Sequence, residues 1–192
     1  MLKDRILFEE SAGGVTLSGG EPLLQKEFCL EFLCLLKKGG IHTVVDTCGY
    51  VSWADLKEVA LLTDIFLYDL KLLNAEKSRA FTGVTNDLIL LNLENLVSIH
   101  CNVKVRIPVI PGVNDDARSI NEKALFLSKI GIQEVEIIPY HTLGTGKYDK
   151  LSRKYRLNKT PILSETELIA IEQIFNRKGI IVLKNGENSY GK

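Results

Sequence analysis

Between residues 13 and 183, short runs of Val, Ile and Leu alternate with longer stretches whose apolar positions recur at helical spacing. The runs at 15–17, 43–46, 65–69, 103–109, 135–138 and 180–183 read as strands. Between them the pattern predicts helices at 26–38, 52–62, 87–99 and 117–130, a short one from Asn74 and a last one from Ser164. In the first helix Phe28, Phe32, Leu35 and Leu36 are spaced for one buried face. Gly39-Gly40 and Gly131 stop helices, and Pro111-Gly112 closes the fourth strand. Ser52 with Asp55, and Ser164 with Glu167, stand at capping-box spacing. Continuous apolar strands separated by helices define a parallel sheet with both faces covered. Six strands and no solenoid-period repeat leave an open doubly wound sheet or part of a (βα) barrel; periodicity does not choose between them.

Composition narrows the setting. The 192 residues, 45% of them apolar, fit a single domain over 1–192 that is large enough to bury a core without disulfides or a structural metal. Lys plus Arg equals Asp plus Glu at 24 each, so nucleic acid or an anionic membrane recognised by bulk charge is not an expected partner. With no run of 18 apolar residues and no charged-then-apolar leader, a soluble, cytoplasmic protein is expected. Cys29, Cys34, Cys48 and Cys101 match neither C-x-x-C nor a paired zinc pattern and read as buried free thiols.

The chemistry-bearing residues stand at strand ends. Ser18-Gly19-Gly20-Glu21-Pro22 follows the first strand, Asp46-Thr47-Cys48-Gly49 the second and Asp69-Leu70-Lys71 the third. The fourth carries Arg106 and Pro111-Gly112, and the fifth runs into Tyr140-His141 and a loop holding Gly144 and Gly146. Singly, each has a structural explanation: a tight turn at Gly19-Gly20, an Asp69–Lys71 ion pair, a helix cap at Asp46, a loop histidine at His141. Five successive strands delivering such segments at their C-terminal ends is where α/β sheets and barrels build pockets. Carboxylates with a Lys, an Arg and a His suit a zwitterionic ligand, Glu21 accepting from its ammonium group.

Taken in order, Gly13-Gly14-Val15-Thr16-Leu17-Ser18-Gly19-Gly20-Glu21-Pro22, Asp46-Thr47-Cys48-Gly49-Tyr50, Tyr68-Asp69-Leu70-Lys71, Arg106-Ile107-Pro108-Val109-Ile110-Pro111-Gly112-Val113-Asn114-Asp115 and Pro139-Tyr140-His141 resemble the glycyl-radical-enzyme activating enzymes. These are the pyruvate formate-lyase activase group of the radical S-adenosylmethionine superfamily. The resemblance implies an α/β fold, a partial TIM-like (βα) barrel. It also implies S-adenosylmethionine as cofactor, with Ser18, Gly19, Gly20 and Glu21 at the methionyl amino group and Lys71 at its carboxylate. Asp46, Thr47 and Asp69 are similar to ligands of a monovalent cation beside that carboxylate, and Arg106 and His141 to residues lining the nucleoside and reaction side. Lys71, Arg106 and His141 are the implied catalytic residues. The Asp-Thr-Cys-Gly-Tyr and Tyr-Asp-Leu-Lys variants look closer to the diol- and amine-processing activases. The implied reaction cleaves S-adenosylmethionine with one electron from a [4Fe–4S] cluster, and the 5′-deoxyadenosyl radical takes a hydrogen from a glycine of the partner enzyme. A glycyl radical enzyme and a flavodoxin- or ferredoxin-type electron donor are the implied partners.

The sequence departs from that family in one respect. The family's cluster cysteines form a C-x-x-x-C-x-x-C loop upstream of the Gly-Gly-Glu segment, and no such triplet occurs among these four cysteines. The expectation is therefore the C-terminal part of a radical S-adenosylmethionine core, missing its first strand, holding a [4Fe–4S] cluster only as part of the full-length protein and inactive alone. Without that first strand a barrel edge is left unpaired, which would invite a dimer through the open edge or leave the pocket edge partly disordered. Competing readings are a ribonucleotide-reductase type of activase, a decayed non-catalytic binding module, and a phosphate-handling barrel using Gly19-Gly20 or Gly144 and Gly146. Pro139-Tyr140-His141 with Gly144 and Tyr148 favours the activase, and neither glycine pair has the P-loop pattern.

Overall fold

The structure is a computed structural model and describes residues 13–141 and 160–183, with residues 8, 10, 11 and 157. Gly144, Gly146 and Tyr148 lie outside the described residues. The elements are β1 (Gly14–Leu17), a 3-10 turn (Pro22–Gln25), α1 (Lys26–Lys38), β2 (His42–Thr47), α2 (Trp53–Ala60), β3 (Ile65–Asp69), α3 (Ala75–Thr82), α4 (Asp87–Ser98), β4 (Val103–Val109), α5 (Ala117–Lys129), β5 (Glu134–Pro139), α6 (Glu165–Asn176) and β6 (Ile181–Leu183).

All six strands are parallel and pair in the order of the sequence, β1 to β6. That order settles the question periodicity left open. A doubly wound sheet reverses direction at a switch point, which sends helices to both faces. Here nothing reverses, and the helices gather on one face. Val45, Phe66, Val105 and Val135 belong to the same apolar cluster as Leu33 of α1, Leu56 of α2, Leu93 of α4, Ile120 of α5 and Phe175 of α6. Val44, Ile65 and Leu67, one residue out of phase, form a separate small cluster on the opposite face. The molecule is a piece of a (βα) barrel, with helices outside and the second face inside.

The inner face is only partly apolar. In the ladder Asp46 pairs Leu67, Asp69 pairs Arg106 and Arg106 pairs Glu136, so a row of charged side chains crosses the inside of the sheet near its C-terminal rim. The expectation of apolar cover on both faces fails here, because a barrel interior at its mouth serves ligands as well as packing.

Several helix signals hold and two do not. Ser164 and Glu167 form the complete capping box, and Asn74 caps α3 through its bond from the Lys77 N–H at 2.8 Å. Ser52 caps α2, but Asp55 bonds the Ser52 hydroxyl at 2.6 Å and Lys26 at 2.6 Å, leaving that box half made. In α1 the buried residues are Cys29, Leu33 and Leu36, while Phe28 and Leu35 are 60% and 65% exposed. Lys26 and Lys37 turn one flank of α1 toward α2 and Asp64, through ion pairs with Asp55, Glu58 and Asp64. Phe28, Phe32 and Leu35 lie on the other flank, about 60–120° round from the buried stripe at 100° per residue. On that flank the Phe28 and Phe32 rings stack with centroids 5.6 Å apart. Of the four thiols only Cys29 is buried; Cys34, Cys48 and Cys101 are partly exposed.

Candidate functional site

The C-terminal rim is built strand by strand. After β1 the chain turns sharply, with Gly19 at φ +148°, a region closed to residues with a side chain. A Cβ on Gly19 or Gly20 would meet nothing within 4 Å, so these glycines leave backbone open at the rim and do not serve internal packing. Glu21 then turns inward. One carboxylate oxygen accepts from the Thr47 hydroxyl at 2.7 Å and the Leu23 N–H at 3.3 Å. The other accepts from the Cys48 N–H at 3.0 Å and the Cys48 thiol at 3.1 Å. Glu21 therefore ties the end of β1 to the end of β2, with its acceptor capacity largely used by protein donors.

The loop after β2 is locked from below. Gly49 has φ +72°, and a Cβ there would stand 1.8 Å from the Tyr68 hydroxyl. Tyr68 is fully buried and donates to the Ile89 carbonyl at 2.6 Å; burial, with Cys48 and Glu21 nearby, pushes its phenol well above the usual range. Asn92 of α4 donates to the Gly49 and Val51 carbonyls at 2.8 and 2.7 Å. Burial, with the bond to Glu21, also raises the Cys48 pKa, so this thiol stays protonated and is a structural donor rather than a nucleophile.

On the inner face, Arg106 of β4 reaches between two carboxylates. Its Nε donates to Asp69 at 2.9 Å, one terminal nitrogen stands 2.7 Å from the same oxygen, and that nitrogen also bonds Asp46. Ser18 donates to the other Asp46 oxygen at 2.9 Å. Burial works against the guanidinium charge, but Asp69, then Asp46 and Glu136, more than offset it, and the pKa of Arg106 lies above its ordinary value. Lys71 stands at the outer end of this row, 3.4 Å from Asp69, its side chain 44% exposed. His141 follows the end of β5, exposed, directly after Tyr140.

The site residues expected from sequence thus share one rim, but not one contact network. Ser18, Asp46, Asp69, Lys71 and Arg106 form a continuous polar chain, while Glu21 and Thr47 belong to a second. Thr47 sits on the helix-facing side of β2, 3% exposed, bonding Glu21 and the Gly49 N–H at 2.9 Å, so its hydroxyl does not join Asp46 and Asp69. The place between those two carboxylates, where the sequence led us to expect a monovalent cation, is taken by the Arg106 guanidinium. Among the described residues no cluster of three or more His, Cys, Asp or Glu has metal-holding geometry. Sequence reasoning passed over Glu136, whose only signal was its alternation with the apolar residues of β5, and Asn92, which carries no signal.

A cavity of about 310 Å³ opens beside this chain, bordered by Glu21, Cys48, Asp69 and Lys71 and floored by Leu24, Leu72, Val84 and Ile89. An ammonium group among the lining of a largely apolar chamber fits a ligand that carries a carboxylate on a less polar body. The residues fit S-adenosylmethionine in that sense. They do not fit an iron–sulfur cluster: Cys29 donates its thiol to the Pro22 carbonyl at 3.1 Å and Cys48 to Glu21, and the four thiols do not converge.

A barrel segment with this glycine-and-carboxylate rim defines a class of protein, and the comparison agrees: the chain belongs to the radical SAM superfamily, whose family model matches residues 2–123. Within it, similar proteins include activating enzymes of dehydratases and lyases. The trans-4-hydroxy-L-proline dehydratase activating enzyme of Clostridioides difficile is 44% identical over 179 residues, 90% of this chain and 58% of that protein. The choline trimethylamine-lyase activating enzyme of Oleidesulfovibrio alaskensis is 37% identical over 88% of this chain and 56% of its own length. Among solved structures, a domain of pyruvate-formate lyase-activating enzyme from Bacteroides vulgatus superposes with a TM-score of 0.77 at 31% identity, over 91% of this chain and 99% of that one. The chain spans under two thirds of the length of those two activating enzymes. Among the described residues no helix is long and apolar enough to cross a membrane.

Proposed function

We propose that these 192 residues form the S-adenosylmethionine-holding part of an activating enzyme that installs a glycyl radical on a partner enzyme. The observation that carries this reading is the rim itself, where Lys71, Asp69, Arg106, Asp46 and Ser18 form one polar chain beside the open Gly19-Gly20 backbone. Lys71 pairs with the ligand's carboxylate, a task suited to a compact cation with few bonds of its own. The Ser18–Glu21 turn offers backbone acceptors to its amino group, since the Glu21 carboxylate is engaged elsewhere. Arg106 bridges Asp46 and Asp69 and fixes their direction, and His141 lines the β5 side. Held there by Lys71 and the Ser18–Glu21 turn, S-adenosylmethionine would supply the hydrogen-abstracting carbon once one electron had broken its sulfur–carbon bond and released methionine, the hydrogen coming from a backbone glycine of the partner. The partner is a glycyl radical enzyme, like the dehydratases and lyases in the names of the relatives, and the electron comes from a flavodoxin- or ferredoxin-type donor.

The cysteine set supports a second element of this reading: these residues do not by themselves carry the cluster. Self-association through the β1 edge and the stacked Phe28 and Phe32 is part of the same proposal. Calorimetric titration of S-adenosylmethionine into the chain, with Lys71→Ala beside it, tests the site. Binding weakened at least about tenfold by the variant, one lost charge-assisted contact, is expected; a wild type that does not bind, or a variant that binds equally, refutes it. Anaerobic iron–sulfide reconstitution tests the second element. Little bound iron is expected, and about four irons per chain with a reducible cluster signal would overturn it.

A further inference from the structure

We infer that Asn114 is a positioning residue that sets where Lys71 stands at the rim, held in turn by two lysines behind it. This rests on the assignment of Lys71 as the carboxylate-binding cation. The Lys71 side chain is half-exposed and has one contact at 3.4 Å, so its location is decided by the backbone it rises from. That backbone has two ties at Leu70 and Lys71, followed by the Asn86 amide on the Leu72 and Leu73 carbonyls at 2.9 and 2.6 Å. The Leu70 N–H donates to the Arg106 carbonyl at 2.9 Å, and the Lys71 carbonyl accepts from the Asn114 side chain at 2.7 Å. Asn114 is 1% exposed and spends its whole amide on the same junction: its second hydrogen goes to the Pro108 carbonyl at 2.8 Å, and its oxygen accepts from the Ile110 N–H at 2.7 Å. One side chain therefore joins the segment bearing Lys71 to the end of β4, the strand bearing Arg106.

Asn114 is braced from two helices. Lys123 of α5 is wholly buried, and its ammonium reaches the Asn114 carbonyl at 3.4 Å. Lys77 of α3 reaches the neighbouring Val113 carbonyl at 3.2 Å and Asp116 at 3.5 Å. A buried ammonium bonded to a carbonyl is a poor stabiliser compared with an apolar side chain of its shape. Its placement makes sense as a strut on the 113–114 segment. A displacement of about 1 Å at a reacting group can cost on the order of a hundredfold in rate, so a fixed Lys71 has functional value that stability alone does not explain.

The test is a double-mutant cycle on ligand binding by the whole chain, using S-adenosylmethionine and its decarboxylated analogue. Asn114→Ala removes the tie; Asn114→Asp keeps size and the Ile110 acceptor while losing both donors, and serves if the alanine variant does not fold. Either variant is expected to weaken S-adenosylmethionine about tenfold while changing the decarboxylated analogue less than about twofold, and the loss is expected to vanish in a Lys71→Ala background. Equal loss for both ligands, a loss that persists without Lys71, or no loss overturns the inference. If the wild type binds neither ligand, the functional reading fails and Asn114 is judged by nuclear magnetic resonance of the unliganded chain. Displaced Lys71 side-chain signals in Asn114→Asp, with the Trp53 indole unmoved, then support it, and unmoved Lys71 signals overturn it.

Discussion

Replacing Arg106 by Met keeps an unbranched stem and deletes the guanidinium that bonds both Asp46 and Asp69. The side chains of Arg106, Asp46 and Asp69 are 17%, 21% and 21% exposed, so water compensates the loss only in part. Three charge-assisted contacts are removed. At roughly 1.5–3 kcal/mol each, simple addition would overshoot, because they share one cation and two carboxylates that water can reach at the rim. Breaking a buried pair costs about 3–5 kcal/mol, and discounting for this exposure leaves about 2–3 kcal/mol. Urea unfolding followed by the fluorescence of Trp53, the sole tryptophan, gives the number. The reasoning makes a sharper claim than loss alone: a second change, Asp46→Asn, should restore about half the deficit, because one carboxylate no longer faces another. A loss under about 1 kcal/mol, or a double variant no more stable than Arg106→Met, refutes the view that the guanidinium neutralises this pair.

Two further outcomes follow from packing and burial. Gly49→Ala places a methyl into the Tyr68 hydroxyl at positive φ, which should cost about 3 kcal/mol from backbone strain and the displaced phenol; the same urea titration checks it. Burial pulls the Lys123 pKa down to about 8 from 10.5, with Asp116 and Asp115 opposing the shift and Lys77 adding to it. The folded state then binds fewer protons than the unfolded one between those values, so stability should rise with pH across that window, by up to about 3 kcal/mol at 1.36 kcal/mol per unit. Lys123→Met should flatten the rise, as read from unfolding midpoints at pH 7.5 to 10.5.

What the sequence showed and hid divides along a physical line. Local signals held: the caps at Asn74 and Ser164 and the strand cores from Val15 to Val182 depend on residues a few positions apart. Strand order is non-local, so periodicity left barrel and doubly wound sheet open; the motif resemblance pointed to the barrel, and the pairing bears it out. In α1 the three-and-four spacing fits Phe28, Phe32 and Leu35 as well as Cys29, Leu33 and Leu36, and only the direction of α2 decides which stripe is buried. The rim residues Glu21, Asp46, Asp69, Lys71 and Arg106 were visible because charge at a strand end is unusual, but their partners were not. Thr47 stands beside Asp46 in sequence and on the opposite face in space, by the alternation of a strand. The buried amide of Asn92 acts on carbonyls more than 40 positions away and leaves no local pattern, and Asn114, though inside the motif at 106–115, gives no sign of its bond to Lys71, 43 positions back.

The uninterrupted β1-to-β6 order also has a kinetic side. Each strand pairs with the next across a single excursion of chain, and among the described residues the two flanking strands have one neighbour where the middle ones have two. Local opening should therefore begin at the flanks and reach β3 and β4 last. Asp69 and Arg106 occupy those two central strands, so the ion pair at the heart of the polar rim would survive the fluctuations that loosen the rest.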